Sequence, residues 1–208
     1  MVLITTAPSR AATDPQAAQL IASSGKALGI ASLGPVTTIR LDGTVTGLGL
    51  TGTQTQYVNV RDGRFAETTN LGPLVSLDGY DGTVTWNADG THLVWNVGGD
   101  SPRASEINQA YLTAYGLWAP QALGADVTSL GTKSDGGKTY EGVRITPVGS
   151  KVPFDLWFDP ATHLPVRADF VNGFTTAAVT FSDYRSVQGL MVPYNQRTDS
   201  SDGNNTVT

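Results

Sequence analysis

Aspartate-glycine pairs punctuate this chain more than any other signal. They fall at Asp42, Asp62, Asp78, Asp81, Asp89, Asp135 and Asp202, so seven of the fifteen aspartates precede glycine. That pair fits tight hairpin turns, whose central residues need positive φ. The runs between the pairs alternate apolar and polar residues, as half-buried strands do. "TVTWN" sets Val84 and Trp86 on one face, and "HLVWNV" does so with Leu93, Trp95 and Val97. "VPFDLWF" aligns Val152, Phe154, Leu156 and Phe158, and "VRADF" aligns Val166, Ala168 and Phe170. Val143 with Ile145, and Val179 with Phe181, add two more. The glycine-rich "GTVTGLGLTG" also alternates and has no helix after it, which argues for a strand rather than a phosphate cradle.

Two segments break the pattern with helical spacing. In "TDPQAAQLIASSGKALG", Asp14 suits the N-cap, Pro15 the first helical position and Gly29 the stop, with Ala17, Leu20, Ile21, Ala27 and Leu28 on one face. In "SPRASEINQAYLTAYGLW", Ser101 and Pro102 repeat that entry, and Gly116 and Pro120 end it. Ile107, Ala110, Tyr111, Ala114 and Trp118 recur along its apolar face. The order is a helix, about six strands, a helix and about five strands. A sheet of that size curls or splits, and the helices need an apolar surface to cover. The expected fold is therefore mainly β (α+β): a curved antiparallel half-barrel of about 11 strands, with two helices over its concave face. We expect one domain over residues 14–200, a flexible segment at 1–13, and a linker or following domain beginning at 201–208.

Composition removes several functions. The net charge is −5 with 13 Lys and Arg, which argues against nucleic acid, whose binding needs clustered cations. With no cysteine, thiol catalysis, disulfides and thiolate metal sites are excluded. No apolar run is long enough for a transmembrane segment. The start "MVLITTAPSRAATD" lacks the basic and apolar regions of a signal peptide, so any export signal is expected to precede it and to have been removed.

A catalytic constellation is equally hard to find. There is no G-x-S-x-G elbow, and Ser101 in "GGDSPR" reads as a helix cap. His92 and His163 are the only imidazoles, and neither has a second His at ligand spacing. "DGYDG" and "DSSDGNN" supply oxygens without the calcium-loop spacing. Asp159 precedes His163 by four residues, but "DPATHLP" joins two alternating strands and carries two prolines. We expect a turn in which Asp159 accepts backbone N–H bonds and His163 sits at the exposed tip. Nothing marks two of Glu67, Glu106, Glu141 and the aspartates as an acid pair. Glu106 suits the first turns of a helix, where negative charge is favourable. No metal, cofactor or catalytic residue is expected.

Large apolar side chains remain. Trp86, Trp95, Ile107, Tyr111, Tyr115, Trp118, Phe154 and Phe170 are the candidates for the wall of an apolar ligand cavity between sheet and helices. Ordinary core packing accounts for the same residues.

Several segments together resemble a known family. "YVNVRDGRFAETT" (Tyr57–Thr69) is similar to a strand, an arginine-bearing turn and a strand, and "YDGTVTWNADG" (Tyr80–Gly90) to the hairpin that follows. "LWFDPATHLPVRADF" and "FSDYRSVQGLMVPY" (Phe181–Tyr194) are similar to later strands with D-x-x-T-x-L-P and Y-R-x-V-x-G-x-x-x-P. In that order they resemble the LolA/LolB/LppX-type lipoprotein-sorting fold, in the version found ahead of retropepsin-like aspartyl protease domains in bacterial envelope proteins. The resemblance implies an unclosed β-barrel, and a non-catalytic module that binds a lipid acyl chain or other lipophilic ligand. It also implies a periplasmic or envelope location, and a C-terminal protease domain in cis if the natural chain continues past Thr208. In the carrier, an arginine at the strand-end turn helps to hold the helical lid. Arg61 falls nearest that position, with Asp62 after it where the family pattern has proline. The competing expectation is an accessory domain of the attached protease, with a filled core and no ligand.

Overall fold

The computed structural model describes residues 14–118, 123–172, 174–203 and 205–208. Helix α1 (Pro15–Leu28) opens the described chain, and a short 3-10 turn (Ile30–Leu33) follows it. Six strands come next: β1 (Thr38–Gly47), β2 (Leu50–Asn59), β3 (Phe65–Asn70), β4 (Val75–Tyr80), β5 (Thr85–Asp89) and β6 (Val94–Asn96). After α2 (Asp100–Thr113) come β7 (Ala125–Asp135), β8 (Lys138–Pro147), β9 (Phe154–Phe158), β10 (Pro165–Asn172), β11 (Thr175–Val187), β12 (Leu190–Ser200) and β13 (Thr206–Val207). All 13 strands belong to one sheet in the order β6-β5-β4-β3-β2-β1-β13-β12-β11-β10-β9-β8-β7. Every neighbouring pair is antiparallel. The sheet curls without closing, because β6 and β7 are its two edges. Helix α2 joins those edges and crosses the concave side, touching β4, β8 and β10.

The half-barrel expectation holds, with 13 strands in place of about 11. Thr206 and Val207 pair with β1 on one side and β12 on the other, so this segment is the seam between two meanders.

Local chemistry explains most boundaries. Asp14 caps α1, its Oδ1 accepting the Ala17 N–H at 2.9 Å and its Oδ2 the Ser129 N–H. Those bonds hold its carboxyl below the usual range. Gly29 ends α1 in the left-handed region at φ 73°. The β7–β8 loop is Gly136-Gly137, both at positive φ, as a tight hairpin requires.

Five of the seven Asp-Gly pairs lie at turns, but two lie inside strands: Asp42-Gly43 in β1 and Asp78-Gly79 in β4. At Gly79 the reason is contact. The Trp86 ring lies over it, and an added Cβ would fall 2.5 Å from that ring and 2.6 Å from the Phe65 carbonyl oxygen.

Helix α2 departs from its expected limits. Its N-cap is Gly99 rather than Ser101, and no side chain caps it. It ends at Thr113 because Tyr115 adopts φ 57°, and Gly116 then packs against the Tyr111 ring. Tyr115 and Trp118 therefore sit beyond the helix. Pro120 lies outside the described residues.

The main core fills the concave side of β7–β10. Val143, Ile145, Phe154, Leu156, Phe158 and Ala168 face it at 0–1% exposure, with Ala17 of α1 and Tyr111 of α2 against them. Phe154 stacks on Phe170 at 5.1 Å, Tyr111 meets Phe154 edge-on at 6.4 Å, and Trp118 meets Phe158 edge-on at 6.5 Å. Each such aromatic contributes about 2 kcal/mol by leaving water. A smaller cluster of Val58, Phe65, Ala110 and Ala114 seats α2 on β2 and β3.

Candidate functional site

Strand register builds one continuous row across the concave face of the first meander. Gln56 pairs with Glu67, Glu67 with Asp78, Asp78 with Asn87, and Asn87 with Trp95. Directly paired residues point to the same side of a sheet. Four hydrogen-bonding side chains and one indole therefore stand side by side from β2 to β6. Helix α2 lies above them and adds Glu106 and Gln109. Between helix and row is a hollow of about 410 Å³, with Trp95 at its apolar end.

The electrostatics of this hollow are unusual. Glu67 accepts from Gln54 Nε2 at 2.7 Å and from Gln56 Nε2 at 2.8 Å. Burial, then the neighbouring Asp78, push its carboxyl up to about 7, Glu106 adding to the effect and the two amides opposing it. Burial raises Asp78 to about 6. Burial and then Asp78 raise Glu106 to about 7. None of the described lining residues is a cation, so no positive charge compensates when these acids ionise. Glu106 Oε2 and Asn87 Oδ1 are buried acceptors without a protein partner. Among the described residues no group of three or more His, Asp and Glu is placed to hold a metal ion. The arrangement suits a guest that brings hydrogen-bond donors, and it lacks a positioned nucleophile.

The residues expected to line an apolar cavity divide three ways. Ile107, Tyr111 and Phe154 are 6%, 3% and 1% exposed and packed into core, and Tyr115, Trp118 and Phe170 pack beside them. Trp95 does line the hollow, at its rim, 43% exposed beside Leu93 and Val94. Trp86 lies elsewhere. It pairs with Gly79 and Asn96, which puts it on the convex face, opposite to Trp95. Its ring is needed there to cover Gly79.

Arg61 lies in the β2–β3 turn. Its guanidinium donates to the Gly34 carbonyl, after the 3-10 turn, and is exposed. It thus holds the segment that leaves α1, not the helix over the hollow.

The Asp159 turn forms as expected. Asp159 Oδ1 accepts the Ala161 and Thr162 N–H groups at 2.7 and 3.1 Å, and the His163 N–H donates to Asp159 O at 2.7 Å. His163 is half-buried, so the exposed tip is Pro160–Thr162 instead. In "DGYDG", Asp78 turns into the hollow while Asp81 accepts the Thr83 and Val84 N–H groups of its own loop. In "DSSDGNN", Asp199 pairs with Arg197 at 2.7 Å.

Sequence reasoning missed Gln54, Gln56, Glu67, Asp78, Asn87 and Glu106 as one site. Each sits at an inward position of its own element, but only register and the crossing of α2 bring them together.

No family model matches the sequence, and no curated protein does. Solved structures do match. A DUF1329 family protein from Desulfovibrio piger superposes with a TM-score of 0.54 at 16% identity, covering 94% of this chain and 90% of that one. A LolA superfamily protein from Nitrosomonas europaea gives 0.53 at 12% identity, covering 88% and 89%. A putative outer membrane lipoprotein-sorting protein domain from Vibrio parahaemolyticus gives 0.52 at 10% identity, covering 90% and 87%. The chain thus shares with these three proteins, over nearly its whole length, the fold of an unclosed antiparallel half-barrel crossed by helices.

Proposed function

We propose that this half-barrel is a non-catalytic binding module of the bacterial cell envelope, carrier-like in action, whose ligand is an amphiphile. One observation carries the reading: the roughly 410 Å³ hollow beneath α2, within the size range of small-molecule sites. Its rim at the half-exposed Trp95 gives a lipophilic portion a place to leave water, each buried methylene contributing about 0.8 kcal/mol. Its floor of carboxyl and amide acceptors favours a head group that donates hydrogen bonds. The fold shared with a lipoprotein-sorting domain supports both the ligand class and the envelope location.

Native mass spectrometry of the purified protein is expected to show a bound lipophile, and an amphiphilic dye is expected to bind saturably. Trp95→Ala should weaken dye binding several-fold without unfolding the protein. The absence of both a co-purified lipophile and saturable dye binding would defeat the proposal.

A second reading has its own support. The concave side of β7–β10 is packed solid, with Phe154, Leu156 and Phe158 at 0–1% exposure. A filled core suits an accessory or interaction domain that takes no ligand, attached to a retropepsin-like aspartyl protease. In a longer chain carrying such a protease, deleting this domain would then alter proteolysis with no dependence on added lipid.

A further inference from the structure

Helix α2 is unevenly held. Its C-terminal half is anchored, with Ile107, Asn108, Ala110 and Tyr111 buried and Asn108 Nδ2 donating to the Val152 carbonyl at 2.9 Å, whereas the small Ala104 is the buried residue of its N-terminal half. Its first turn has no side-chain cap. Among its ties are Lys151 to Asp100 at 3.3 Å, with side chains 80% and 87% exposed, and Arg103 donating to the Thr83 carbonyl at 3.2 Å. Exposed ties of this kind contribute little. Glu106 sits where the held half meets the loose half, over the hollow.

The groups that face Glu106 come from every element beneath it. Strand β2 presents the neutral amides Gln54 and Gln56, which bind Glu67 of β3. Strand β4 presents Asp78 and Ser76, β5 presents Asn87 and Asp89, and β6 presents Trp95. Asp89 is held below the usual range by bonds within its own turn, so it is already charged. On α2 itself Gln109 is neutral, and the Arg103 side chain is exposed and engaged with Thr83. Ionisation of Glu67, Asp78 and Glu106 therefore puts like charge on both sides of one helix–sheet interface.

We propose that the N-terminal half of α2 is a proton-controlled cover, closed on the sheet while Glu67, Asp78 and Glu106 hold their protons and lifted as they ionise. The C-terminal half is the anchor about which it moves. Opening widens the hollow from the β6 side, where Trp95 stands. The carboxyls titrate at about 7, about 6 and about 7, which places the change near neutrality. The sign follows from linkage. Groups whose pKa is raised in the closed state bind more protons there, so closure is favoured at low pH and weakens as pH rises through those values. The device requires no bound ligand, so it stands or falls separately from the proposed function.

Amide hydrogen exchange on the unliganded protein tests it, with protection corrected for the intrinsic rate at each pH. Protection of Arg103–Glu106 is expected to fall at least about tenfold between pH 5 and pH 8, one pK unit being a factor of ten. Protection of Ala110–Thr113 is expected to change less than about twofold on the same scale. Glu106→Gln should abolish most of the fall, and Glu67→Gln gives the same reading should that variant not fold. Equal protection at the two pH values overturns the proposal. So does a fall spread evenly along α2, or one that survives both substitutions.

Discussion

The two meanders of this sheet have the same topology and opposite fillings. From β7 to β10 the concave face is aromatic and aliphatic, closed by α1 and by Tyr111 of α2. From β2 to β6 it carries a row of amides and carboxyls that α2 spans without filling. Their convex faces, in contrast, use the same device, an indole lying over a strand glycine: Trp86 over Gly79 and Trp157 over Gly142. The shared device secures the sheet in both halves, and the difference lies in what the inner face is for. One meander supplies stability, and the other spends some of it on a buried acidic hollow.

The largest expected effect tests the stable half. Phe154→Ala removes a ring that is 1% exposed and stacked on Phe170, and should cost about 3–5 kcal/mol in urea unfolding. A loss below about 1 kcal/mol would show that the second meander is not the stabilising one.

Next comes the acidic half, where removing a charge should help. Glu67 is raised to about 7 by burial and by Asp78, against an ordinary carboxylate in the unfolded chain. The folded state then binds the extra proton, so wild-type stability declines as pH rises from about 4.5 to about 7 and stays low above. Glu67→Gln should unfold at higher urea than wild type at pH 8, by on the order of 2 kcal/mol, with little difference at pH 4. A variant weaker than wild type at pH 8 would contradict the assignment.

The convex faces allow a finer comparison. Gly142→Ala places a Cβ 2.5 Å from the Trp157 ring, whereas Gly79→Ala meets both the Trp86 ring at 2.5 Å and the Phe65 carbonyl at 2.6 Å. Overpacking should cost about 1–3 kcal/mol, and more at Gly79 because backbone yields less than a ring. Thermal melts of the two variants would rank them. The smallest effect belongs to Arg61. Its exposed bond to Gly34 lies away from the hollow, so Arg61→Ala should alter stability by less than about 0.5 kcal/mol and leave dye binding unchanged.

How much of this was legible in the sequence differs between the halves. Asp14, Pro15 and Gly29 announced α1 because capping is local chemistry. The aromatic strands announced the core because period-2 alternation is also local. Alternation, however, fixes which residues of one strand share a face, not which face is inward, nor how neighbouring strands align. Trp86 and Trp95 looked equivalent on that basis, and register separates them. Asp78 looked like a turn residue because glycine follows it. It is instead an inward strand residue beside an outward glycine that Trp86 requires. The end of α2 was misread because Tyr115 takes up a left-handed conformation usually left to glycine or asparagine. The acid row is the deepest miss, since it exists only where four register choices and one helix crossing coincide.

The seam strand has a further consequence. Thr206 and Val207 join β1 to β12 within the sheet, with two residue pairs on each side, and the Thr208 backbone exchanges hydrogen bonds with Gln196. Strands of 10 and 11 residues are thus kept apart by a segment of two. Trimming three residues from the end of the described chain would leave two long, facing edges with unmet backbone donors and acceptors. Such edges recruit strands from other molecules, so this two-residue strand helps to keep the protein from sticking to its copies.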